Sequence, residues 1–129
     1  PFTTATGTLA GELVACKRYY YRNTATKPYG TVGNAFNATS TTSIEGEIRV
    51  PVTMRDFPTV LETSNLLISD GVTNTAANGT FTIQTTSGGN PNLPYFYYTH
   101  GSAVFTQYRM YYITGNNNAN GYLAFSAEL

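Results

Sequence analysis

Tryptophan is missing, histidine and cysteine occur once each, and only 11 % of the 129 residues are charged. Each shortage excludes something. A single cysteine, Cys16, cannot form an intrachain disulfide, and its expected place is a small buried core position. With one histidine, His100, far from Cys16 in sequence, no Cys/His pair has the spacing of a metal site. The same scarcity leaves no nucleophile and base close together, so no catalytic residues, metal or cofactor are expected. Seven basic and seven acidic residues cancel to a net charge of zero. Among the basic residues only Lys17, Arg18 and Arg22 cluster, too few for a nucleic-acid footprint. No apolar run reaches the length of a membrane span, so no membrane insertion is expected. No targeting segment is visible. Because the chain starts at Pro1 rather than Met, it is expected to be a fragment or a processed product.

What the chain has in quantity is threonine (22), asparagine (12) and tyrosine (11). Threonine and tyrosine suit pleated, half-buried surfaces, whereas asparagine and glycine suit turns. The length fits one domain over residues 1–129. From Ile44 to Met54 an apolar set (Ile44, Ile48, Val50, Val52, Met54) alternates with Glu45, Glu47, Arg49, Pro51 and Thr53. That is the pattern of a strand with one buried face, and Pro51 puts it at an edge or bulge. Tyr122 to Leu129 alternates likewise, as does Thr80 to Gln84. Glu12–Arg22 and Ala103–Thr114 read as longer strands, apolar on both faces in places. Shorter ones are expected at Tyr29–Ala38, Thr59–Thr63, Leu66–Ser69 and Tyr95–Thr99. Turn signals separate them: Asp70-Gly71, Asn78-Gly79, Ser87 to Asn92 and Gly115 to Gly121. No capped helical stretch stands out. The expectation is an all-β, antiparallel β-sandwich, jelly-roll-like, of about eight strands. Two glycosylation-type triplets, Asn37-Ala38-Thr39 and Asn78-Gly79-Thr80, are what chance supplies in so Thr/Asn-rich a chain.

Three blocks carry a resemblance: Cys16-Lys17-Arg18-Tyr19-Tyr20, then Val50-Pro51-Val52-Thr53-Met54-Arg55 with Pro58-Thr59-Val60, then the closing Gly121 to Leu129. From about Gly11 onward the chain resembles the C-terminal jelly-roll domain of tailed-bacteriophage tail fibres and related virion structural proteins. The resemblance implies a non-enzymatic domain at a distal position on the virion, assembled in the host bacterial cytoplasm. It implies self-association as a homotrimer, contact with other virion proteins, and attachment to a host cell-surface glycan. It carries no catalytic motif and does not locate a receptor site. Two other readings remain open: a carbohydrate-binding module of a secreted bacterial enzyme, and a capsid-type jelly roll.

Candidate contact residues lie in two places. Tyr95, Tyr97 and His100 follow the Asn90–Pro94 loop, and Asn116, Asn117 and Asn118 form an asparagine-rich loop. Tyrosine rings can stack on the apolar face of a sugar, and asparagine or histidine can bond its hydroxyls. Together these residues would make a glycan-contacting tip. Alternatively the rings fill the sandwich or a subunit interface and the asparagines only permit turns. Arg18, Arg55 and Asp56 are expected to support the loop before Phe57-Pro58. Glu45 and Glu47 share a strand face about 7 Å apart, but Arg49 beside them makes a solvated exterior the natural reading.

Overall fold

In a computed structural model, which describes residues 7–84 and 90–127, the first element is a helix. Thr8 is its N-cap, its Oγ1 accepting from the Gly11 N–H, and α1 spans Leu9–Lys17. This corrects the strand expected over Glu12–Arg22, which now begins only at Tyr20. The segment Leu-Ala-Gly-Glu-Leu-Val-Ala-Cys-Lys holds several good helix formers and one β-branched residue. Glu12 in the first turn and Lys17 in the last complement the helix dipole. No residue of α1 is buried, so it lacks the apolar stripe by which sequence periodicity reveals a helix. Cys16, expected in the core, is exposed on it.

Among the described residues ten strands follow: β1 Tyr20–Thr24, β2 Thr31–Ala38, β3 Ser43–Glu47, β4 Val60–Ser64, β5 Leu66–Ser69, β6 Asn74–Ala76, β7 Thr80–Ile83, β8 Tyr95–Thr99, β9 Met110–Gly115 and β10 Tyr122–Ser126. They form two antiparallel sheets, a small one ordered β1-β10-β4 and a large one ordered β6-β5-β9-β2-β3-β8-β7. The expected antiparallel β-sandwich is therefore present. Leu123 and Phe125 of the small sheet face Ile44, Phe96 and Ile113 of the large one in a single core. The Phe96 ring lies 5.9 Å from Phe125 and 5.1 Å from Phe36. The last positions of the closing alternation, Glu128 and Leu129, and the Ser87–Gly89 part of a turn signal fall outside the described residues.

Two expected strands are shorter than their patterns. The alternation from Ile44 continues past Glu47, with Ile48, Val50 and Met54 buried, but regular pairing stops there. Ile48, Val50 and Met54 donate to the carbonyls of Pro94, Asn92 and Pro91. Two of those partners are prolines without an N–H to return, so no two-way ladder can form. In the second case only Met110–Gly115 of Ala103–Thr114 is strand. The Val104 and Phe105 amides both bond the Thr41 carbonyl, and Tyr108 takes a left-handed φ of 68°.

Candidate functional site

Alternation splits the aromatic run of β8. Phe96 and Tyr98 are buried in the core, whereas Tyr95 and Tyr97 point to the outer face of the large sheet. There Tyr97 pairs with Glu45 and Tyr95 with Glu47. Burial and a hydrogen bond to the Glu45 carboxylate push the Tyr95 phenol up to about 12. That hydroxyl is thus engaged within its own sheet.

His100 caps the other end of the same strand. Its Nδ1 lies 2.8 Å from the Tyr98 hydroxyl, which also accepts from the Gly79 N–H, and its own N–H donates to the Thr42 carbonyl. A Cβ at position 79 would come within 2.2 Å of the Thr99 carbonyl. This network pins β7 and its preceding turn to β8, as an anchor for the sheet.

The asparagine loop lies at the opposite end of the large sheet. β8 ends where β2 turns into β3, while β9 ends where β2 begins, as the registers require. His100 and Asn116–Asn118 therefore do not share a tip. Asn117 has a left-handed φ of 50°, Asn116 donates to the Asn65 carbonyl, and the Asn118 side chain accepts from the Asn120 N–H. The Asn118 N–H bonds the Pro28 carbonyl and the Gly115 N–H bonds the Gly30 carbonyl. Those two bonds bracket Tyr29 and fix its backbone.

Tyr29 in turn borders a groove that the sequence reading missed. On the outer face, cross-strand pairing sets Ser69 between Asn74 and Tyr112, and Thr114 between Leu67 and Thr31. With Tyr29 and Gly71 at the rim, these side chains enclose an open depression of about 640 Å³, within the range of small-ligand sites. Its floor is sheltered and mixed, Ser69, Thr114 and the apolar Leu67 all being buried. Its wall is aromatic, Tyr29 being 59 % exposed and Tyr112 half-buried. None of the lining residues is charged.

Hydrogen bonds give the groove a direction. The Gly71 N–H donates to Ser69 Oγ at 3.0 Å, and Ser69 Oγ donates to the Tyr112 hydroxyl at 3.3 Å. The turn behind is held by Asp70, whose Oδ1 accepts from the Val72 and Thr73 amides while Oδ2 meets Arg109 at 2.7 Å. The Thr73 amide, then the Arg109 guanidinium, then the Val72 amide hold the Asp70 carboxyl at about 2. Ser69, Tyr112 and Thr114 lie within stretches expected to be strands, but no alternation there marked them as outward-facing. Their meeting beside a tyrosine from another loop was not legible either.

The three resembling blocks also meet. The Arg55 amide bonds the Arg18 carbonyl, the Arg55 guanidinium lies 5.2 Å over the Tyr19 ring, and the Ala127 amide bonds the Tyr19 carbonyl. The Thr59 amide bonds the Ser126 carbonyl. Asp56 Oδ1 accepts from the Phe57 amide, whereas Arg18 and Arg55 meet this loop through their backbones and the Arg55 guanidinium stacks on Tyr19.

Among the described residues no group of three or more His, Cys, Asp or Glu side chains is placed to hold a metal. No helix there is long and apolar enough to cross a membrane. Comparison with protein-family models, with curated proteins and with solved structures finds no match to this chain.

Proposed function

We propose that this chain is a non-enzymatic structural domain of a tailed-bacteriophage virion, part of a tail fibre or similar appendage. In this reading it self-associates as a homotrimer, contacts other virion proteins and contributes to attachment at a host-surface glycan. The observation that carries the reading is the junction of the three resembling blocks around Tyr19, Arg55 and Ser126. These blocks make one clasp joining the helix end, the loop before β4 and the closing strand. The sparse, balanced charge and broad tyrosine-rich surface suit an assembled particle.

The test is solution mass together with gene context. Sedimentation at micromolar concentration is expected to give three times the 14.0 kDa chain mass, and the full gene to encode a fibrous stalk. A monodisperse monomer would remove the trimer. A glycosidase domain in the same gene would replace the virion reading with a secreted carbohydrate-binding module. The groove on the large sheet favours that second reading equally, because a neutral aromatic depression suits a sugar-binding module as well as a fibre tip.

A further inference from the structure

We infer that the groove between Tyr29 and Tyr112 is a binding site for a neutral saccharide, with the Tyr112 hydroxyl as its principal directional donor. The inference deepens the attachment reading by naming the site and ligand class. Its geometry is the same whether the chain belongs to a virion or a secreted enzyme.

Three features select the ligand. The first is charge. No lining residue is ionisable near neutrality in a way that would hold an anion, and the one carboxylate behind the rim, Asp70, is occupied by Arg109 and two amides. An anionic glycan would lose hydration on entering and meet no counter-charge there. The second is the mix of surfaces. Two tyrosine rings supply apolar faces, Thr31 and Asn74 supply groups that both donate and accept, and Ser69 and Thr114, whose own protons go to Tyr112 and the Gly115 carbonyl, supply acceptor oxygens. A sugar ring offers that same pairing of C–H face and hydroxyl edge, whereas an apolar peptide would leave the buried Ser69 and Thr114 oxygens facing carbon.

The third is the relay. The Gly71 N–H donates to Ser69 Oγ and Ser69 donates to Tyr112. The phenol oxygen is thus already an acceptor, and its own proton is directed away from Ser69. Each donor in such a chain polarises the next, so the last O–H is the strongest hydroxyl donor the groove presents. Tyr29 closes the other side, its backbone held by the bonds from Asn118 and Gly115 to its two neighbours.

The test is an NMR titration of the full chain, following backbone amides, with neutral maltotriose, lactose and mannotriose and with anionic 3′-sialyllactose. Expected is a shift of the Ser69, Gly71 and Thr114 amides with at least one neutral sugar, and weaker or no response to the sialylated one. Tyr112→Phe keeps the ring and removes the donor, and should weaken binding about three- to tenfold, the usual span for one hydrogen bond. Tyr29→Ala should weaken it further, while Tyr97→Phe, on the far half of the sheet, should leave it unchanged. Thr114→Val checks the groove floor independently should Tyr112→Phe fold poorly. No response to any neutral sugar, tighter binding of the sialylated one, or unchanged affinity in both Tyr112→Phe and Thr114→Val overturns the assignment. None of these outcomes decides the virion reading, which the mass and gene context test separately.

Discussion

Asp70 shows how one side chain can organise both a turn and the site next to it. Its carboxylate caps the Asp70–Thr73 turn through the Val72 and Thr73 amides and ties that turn to Arg109, 39 residues away. Because its folded-state pKa of about 2 lies below the ordinary 3.8, its stabilising contribution is complete above about pH 4. That contribution is lost as pH falls through about 2. Carboxyl-detected NMR should therefore place the Asp70 midpoint near 2, and Asp70→Asn should flatten the change of unfolding free energy over that window. Arg55 acts at the same scale. Removing its guanidinium from the Tyr19 ring should cost about 0.5–1 kcal/mol in denaturant unfolding of Arg55→Ala, with partial recovery in Arg55→Lys. The exposure of Arg109 and Tyr19 keeps these effects small, and the core is where single substitutions become large.

At the scale of elements, packing across the sandwich decides which strands survive. Phe96 of β8 contacts Phe36, Phe81 and Phe125, from both sheets. Phe96→Ala should lower the unfolding free energy by about 3–5 kcal/mol. Gly46 is in a different position. A Cβ there would fall 2.4 Å from the Phe36 ring, so Gly46→Ala must displace an aromatic that is itself fully buried. Calorimetry should show a loss of roughly 1–3 kcal/mol from overpacking. The alternating patterns of β3 and β10 were readable in the sequence, although only β3 leaves its second face open while β10 is buried on both. The three-residue β6 and the helix α1 were not: one is too short for a period to register, and the other buries nothing. In the Ile48–Met54 segment the alternation was readable and the pairing was not, because pairing depended on Pro91 and Pro94 arriving opposite.

At the scale of the molecule, a small sheet closes over one half of a much wider one, and the wide sheet's outer face carries the groove. The helix stands outside this arrangement, with Leu9 81 % and Leu13 57 % exposed. A helix of nine residues has little stability of its own in water. Deleting residues 1–16 should therefore shift the midpoint of thermal unfolding by less than about 4 °C, near what ~1 kcal/mol moves in a domain this size. A larger fall, read by circular dichroism, would mean that α1 contributes to the fold in ways its exposure does not suggest.

Composition and alternation by themselves determined the sandwich: sparse charge, abundant Thr and Tyr, and side chains pointing to opposite faces in turn leave few other ways to bury the apolar set. In the Ile44–Met54 stretch they also determined which residues face inward, Ile44, Ile48, Val50 and Met54 being buried. Tertiary structure alone decided the company those residues keep. Asn116–Asn118 came to buttress Tyr29 instead of joining His100, and Ser69, Tyr112 and Thr114 came to line one groove. The reason is that neighbours across a sheet are set by strand order and register, long-range quantities that no local pattern of residues contains.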